Sequence, residues 1–150
     1  MKKISISSAS IIDGRLKTIC AAAHSPNRPL GENKSPELTW EDVPDANYYI
    51  ALIVDRSAHY WMHMFTSGTW MTHLEEGSLA EDAYVGPYPP AGTGRHDYTV
   101  YIYALEKDPS GIHPEIDAPC NYKALEEKIE SCGILAKGSI VGLFAHGDRT

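Results

Sequence analysis

The sequence predicts a mostly β fold with one helix near its C-terminus. Three observations carry this. Short apolar or alternating runs recur along the chain, clusters of Gly, Pro, Asn and Asp punctuate them, and only the segment Asn121 to Cys132 shows helical spacing. At 150 residues the chain is long enough for one domain, taken as 1–150, with a substantial core.

The runs follow in order. Ile4 to Ile12 alternates as a first strand and Asp13-Gly14 turns it back. Cys20 to Pro36, with Pro26, Pro29, Gly31 and Pro36, reads as a long surface loop. Pro36 to Trp40 is a short alternating strand whose Trp40 belongs in the core, and Val43 to Asn47 is a turn. Tyr49 to Val54 is a continuous apolar run, the pattern of a central strand buried on both faces, with Asp55 at its end. His59 to Phe65 reads as a further strand, whereas Thr66 to Val85 is polar and turn-like, with Glu75, Glu76, Glu81 and Asp82 as solvated charges. Asp97 to Leu105 is a β-branched and aromatic strand, and Asp108 to Gly111 a turn. In the helix, Tyr122, Leu125, Ile129 and Cys132 share a face, Asn121 or Asp117 caps the start and Gly133 ends it. Ser139 to Phe144 closes the fold as a last strand.

Composition narrows the function. Charged residues are 22% and hydrophobic ones 43%, and no run is long and apolar enough to span a bilayer, so a soluble protein is expected. After Lys2 and Lys3 the chain alternates instead of forming an apolar signal core, which predicts an unexported, cytoplasmic protein. A formal net charge of -7 argues against a nucleic-acid partner. The cysteines Cys20, Cys120 and Cys132 lack C-x-x-C spacing, so neither a disulfide framework nor a zinc site is expected. His59 and His63 are four apart, but on a strand they would lie roughly 13 Å from each other, too far to share an ion.

The chemistry concentrates between Gly86 and Leu105. Gly86-Pro87-Tyr88-Pro89-Pro90-Ala91-Gly92 excludes helix and forms a stiff loop, open to a cis X-Pro bond, that feeds directly into a strand. His96 and Tyr98, two apart at the strand's entrance, leave the same face and can wall a pocket.

These motifs resemble the phosphatidylethanolamine-binding protein family, which includes Raf kinase inhibitor protein and bacterial relatives. The resemblance rests on Ser35-Pro36-Glu37-Leu38-Thr39-Trp40, on Val43-Pro44 and the strand ending in Asp55, on Trp61-Met62-His63, and on the run from Gly86 through His96 to Tyr98. It covers nearly the whole chain. The chain departs from the family pattern at Arg56 to His59, where two prolines and a second carboxylate are missing, and at Asp97, which replaces an Arg. The resemblance implies a β-sandwich with a large central antiparallel sheet, a smaller flanking sheet and a helix near the C-terminus. It implies a pocket for phosphate or a phosphorylated headgroup, with Asp55, His63 and His96 as its polar floor, Tyr98 on its wall, and Gly86 and Pro89 shaping the loop above. No cofactor, metal or catalytic residue is expected. The implied function is non-enzymatic binding of a small anionic or phosphorylated ligand, with a kinase or protease as a candidate protein partner and a homodimer allowed. Two alternatives stand beside it: a metal-assisted or acid/base hydrolase using the same Asp/His pocket, and a surface interaction module with a vestigial pocket.

Overall fold

The computed structural model describes residues 2–24 and 29–150. Its strands are β1 (Lys2–Lys3), β2 (Ile6–Ser7), β3 (Ile11–Ile12), β4 (Arg15–Leu16), β5 (Leu38–Trp40), β6 (Tyr48–Asp55), β7 (Trp61–Thr69), β8 (His73–Leu74), β9 (His96–Leu105) and β10 (Ile134–Phe144), and helix α1 (Tyr122–Glu130) precedes the last. Among the described residues the large sheet runs β3-β4-β10-β9-β6-β7 with β1 also paired to β10, and the small sheet runs β2-β5-β8. The long strands β10, β9, β6 and β7 pair antiparallel, while the two-residue β1 and β4 lie parallel to β10.

The continuous apolar run of β6 has a direct structural reason. Its side chains alternate, so Tyr49, Ala51 and Ile53 enter one core with Leu38 and Trp40 of the small sheet. Ile50, Leu52 and Val54 enter a second core with Leu125 and Ile129 of α1. The large sheet is therefore the middle layer, covered by the small sheet on one face and by the helix on the other. Asn121 caps α1 by accepting a hydrogen bond from the Ala124 N–H at 3.1 Å, and Gly133 ends it at φ +76°. Asp13 and Gly14, both at positive φ, make the two-residue hairpin between β3 and β4. No helix among the described residues is long and apolar enough to cross a membrane.

Several expectations are corrected. Residues 4–12 do not form one strand. The Ser8 hydroxyl accepts from the Ser10 N–H and Ser10 donates to Glu76, so local side-chain hydrogen bonds break the run into pieces serving both sheets. Thr66 to Thr69 continue β7, and His73–Leu74 add a strand to the small sheet, because each pairs with an apolar neighbour despite a polar composition. Glu76 is not solvated scatter: it is held by Ser10 at 2.6 Å and Lys17 at 3.0 Å. His59 and Tyr60 lie in a turn at φ +54°, ahead of the strand expected to contain them. The last strand begins at Ile134, five residues earlier than its alternation suggested, and Gly138 lets β1 approach: a Cβ there would lie 2.1 Å from the Ile4 carbonyl oxygen. The peptide bonds among the described residues are all trans, those before Pro87, Pro89 and Pro90 included. Of the loop read at 20–36, Cys20 ends a 3-10 turn (Thr18–Cys20), and Cys20, Ala21 and Ala22 are fully buried. Pro26 of that loop lies outside the described residues.

Candidate functional site

One end of the large sheet gathers the candidate residues. In the ladder Asp55, the last residue of β6, faces Trp61 of β7 and Tyr98 of β9, and His96 opens β9 opposite Phe144. Asp55 continues the side-chain alternation of Tyr49, Ala51 and Ile53, so it emerges at the edge of the core beneath the small sheet. His63 reaches the same place through a β-bulge. Ile53 lies opposite Met64 and Val54 opposite Met62, which leaves His63 without a cross-strand partner. Met62 and Met64 consequently enter opposite cores, and Trp61 and His63 both turn to the cavity.

The cavity is about 640 Å³. Asp55, His63, His96, Tyr98 and Pro89 line it, together with Trp61, Tyr88, His146 and an apolar set of Leu30, Ala58, Pro90 and Ala91. Neither Lys nor Arg is among these residues. Gly86 does not line the cavity. It sits where a Cβ would approach the Cys20 carbonyl oxygen to 2.1 Å, and its N–H donates to Asn33 Oδ1 at 2.7 Å. With Ala22 N–H donating to the Pro87 carbonyl at 2.9 Å, these contacts fasten the Gly/Pro loop onto the buried part of the segment before it. Gly86 thus positions the loop from below while Pro89 touches the open space.

The floor is a hydrogen-bonded chain that runs from the buried Asp55 and His96 to the exposed Thr93. Asp55 Oδ1 accepts from the Ser57 N–H at 2.9 Å, and its Oδ2 lies 2.6 Å from His96 Nδ1. His96 Nε2 lies 2.9 Å from the Thr93 hydroxyl, and the imidazole stacks on Tyr98 at 6.3 Å between centroids. Burial, and next the Asp55 carboxylate, push the Tyr98 hydroxyl pKa up, so Tyr98 stays a neutral donor facing that carboxylate. His63 Nδ1 is 2.6 Å from the Val85 carbonyl oxygen, which fixes that nitrogen as the protonated one. Burial lowers the His63 pKa despite the Val85 carbonyl and the carboxylates of Asp55 and Asp117, so the ring is neutral at pH 7.

Sequence reasoning missed a second carboxylate. Asp117, weighed only as a helix cap, instead accepts hydrogen bonds from Trp61 Nε1–H at 2.9 Å and from the Tyr88 hydroxyl. Burial and this carboxylate raise the Tyr88 pKa to about 12. Asp117 is placed by the ladder around Met62, whose N–H donates to Ala118 O and whose carbonyl accepts from Asp117 N–H. Its φ of +61° is the one local signal, and backbone angles are not legible in a sequence. Asp97, by contrast, is turned away: its N–H donates to Ser57 Oγ and its carboxylate accepts from Thr99, so the departure from Arg leaves the floor intact. Among the described residues no group of three His, Cys, Asp or Glu side chains converges as a metal site.

Comparison with known proteins agrees with this architecture. A UPF0098 protein of Aquifex aeolicus is 28% identical over 134 residues, covering 76% of this chain and 75% of that protein. A UPF0098 protein of Methanothermobacter thermautotrophicus is 27% identical over 140 residues, covering 78% and 86%. Among solved structures, E. coli YbcL gives a TM-score of 0.71 at 20% identity, covering 95% of this chain and 98% of that one. A phosphatidylethanolamine-binding protein homologue from Chlamydia trachomatis gives 0.68 at 21% identity, covering 97% and 99%. The phosphatidylethanolamine-binding protein family model matches residues 6–145, and the chain belongs to that family.

Proposed function

We propose that the chain is a non-enzymatic binding protein whose cavity takes a small phosphorylated ligand, acting on a protein partner through the occupied or empty rim. The observation that carries this reading is the Asp55–His96 pair at 2.6 Å beside His63, on the floor of a cavity whose walls include the apolar Leu30, Ala58, Pro90 and Ala91. Imidazoles beside a carboxylate suit an anion whose charge needs only partial compensation, and the apolar walls suit a carbon substituent on it. The family name points to a phosphorylated headgroup of the same kind.

The chain Asp55, His96, Thr93 favours a second reading. A carboxylate, an imidazole and a hydroxyl in hydrogen-bond sequence are the parts of an acid/base hydrolase. Thr93 lies within reach of a second acceptor, the Pro90 carbonyl at 2.7 Å, which competes for its proton and supports binding over turnover.

One experiment separates them. Histidine resonances of the protein are followed by NMR from pH 5 to 8, with and without phenyl phosphate, in wild type and Asp55→Asn. Binding predicts coupled shifts of two histidines, abolished in the variant, with phenyl phosphate intact throughout. Release of phenol would favour the hydrolase, and seven resonances that ignore the ligand would leave only the surface module.

A further inference from the structure

The lining side chains of the cavity offer acceptors, and their donors are already committed. Trp61 Nε1–H and the Tyr88 hydroxyl serve Asp117, His63 Nδ1–H serves the Val85 carbonyl, His96 Nδ1–H serves Asp55, and Tyr98 faces that same carboxylate. His146, exposed at the rim, stands outside this set. Among the described lining residues, what remains open toward the cavity is the lone pair on His63 Nε2 and the Asp55 carboxylate, with no Lys or Arg beside them. A fully ionised phosphate, an acceptor on every oxygen, finds no matching partner on that side.

We propose that the cavity recognises a phosphomonoester in its singly protonated form, R–O–PO3H⁻, with the acid hydrogen donated to Nε2 of His63. This rests on the anion-binding reading above and sharpens it. Besides the Val85 and Gly86 carbonyls, the groups facing His63 are Tyr88 from the Gly/Pro loop, Tyr98 from β9, Asp55 from β6 and Asp117 ahead of α1. The two carboxylates oppose a dianion and tolerate a monoanion. A monoanion that lacks the acid hydrogen leaves Nε2 without a partner, a mismatch that weakens binding by about tenfold or more. A diester headgroup such as that of phosphatidylethanolamine carries no such hydrogen, so this chain is expected to prefer monoesters to diesters.

The test compares phenyl phosphate with phenyl sulfate by calorimetric titration of the wild-type protein from pH 5.5 to 8. Both carry the same ring, but the sulfate is a proton-free monoanion over the whole range, whereas the phosphate loses its acid hydrogen near pH 6. The expected result is at least about tenfold tighter binding of the phosphate at pH 5.5, narrowing toward the sulfate's affinity by pH 8. Short-chain phosphatidic acid against phenyl phosphate then distinguishes a lipid source of the monoester from a soluble one. Sulfate binding as tightly as phosphate at pH 5.5 would overturn the proton donation and leave the anion pocket standing. Binding of neither anion would overturn both, as would tight binding of phenethylammonium alone, since the same acceptors would then be serving a cation.

Discussion

Asp117 holds two walls of the cavity at once. It accepts from Trp61 and Tyr88, which stand on different segments, so the shape of the open space depends on one carboxylate that no sequence pattern singled out. Replacing it removes the acceptor and leaves both donors to find water. Asp117→Ala is expected to cost about 1–3 kcal/mol, with Asp117→Asn costing less because one carbonyl acceptor remains. Urea unfolding checks this: the midpoint should fall with the slope unchanged, and a midpoint equal to wild type would mean that the two hydrogen bonds do not shape the folded state. Asp55, His63 and His96 were legible because the resemblance pairs them with motifs that survive in this chain. Asp117 was not, because its place comes from a bridge to Met62 and a positive φ, neither of which leaves a compositional mark.

At the scale of elements, the long strands and the helix were readable because packing follows side-chain periodicity. The apolar run of β6 feeds two cores, and the face of Leu125 and Ile129 marks α1. The short strands were not readable, since two residues carry no period. β1 exists because Gly138 on β10 admits it. Gly138→Ala is expected to destabilise the protein by about 1–3 kcal/mol, because the clash is with backbone and no side chain can rotate away. Gly111→Ala, with nothing within 4 Å of the added carbon, serves as the control and is expected to stay within about 0.5 kcal/mol of wild type. Thermal unfolding of the pair decides the point: equal midpoints would show that β1 is not held at that distance in solution.

For the whole molecule, protonation sets the range of stability. Burial lowers the His63 pKa below its usual 6.5, so on acidification the unfolded chain takes a proton that the folded chain refuses. Stability is therefore complete above pH 6.5 and declines as pH falls from there toward the folded-state pKa. Glu37, Glu76 and Glu126 add a second loss. For Glu37, burial is outweighed by Thr39, Ala9 and His73, and for Glu126 by Lys137 and Tyr103, while Ser10 and Lys17 lower Glu76. Each lies below the usual 4.5, so its contribution is complete above that pH and disappears as pH falls through the lowered value. Urea midpoints measured from pH 8 to 3 are expected to show two descending steps, and His63→Gln only the lower one. A single step in wild type would mean that His63 titrates alike in both states.

The two-core strand also divides what variation can change. Inserting or deleting one residue within β6 would exchange the occupants of both cores together and throw Asp55 to the far side of the sheet. The rim is under no such constraint: Ala58, Ala91 and His146 come from separate segments outside both cores and can be replaced one at a time without moving the floor. Lineages carrying this architecture are thus free to acquire new ligand substituents at the mouth of the cavity, whereas the group at its base is inherited with the fold.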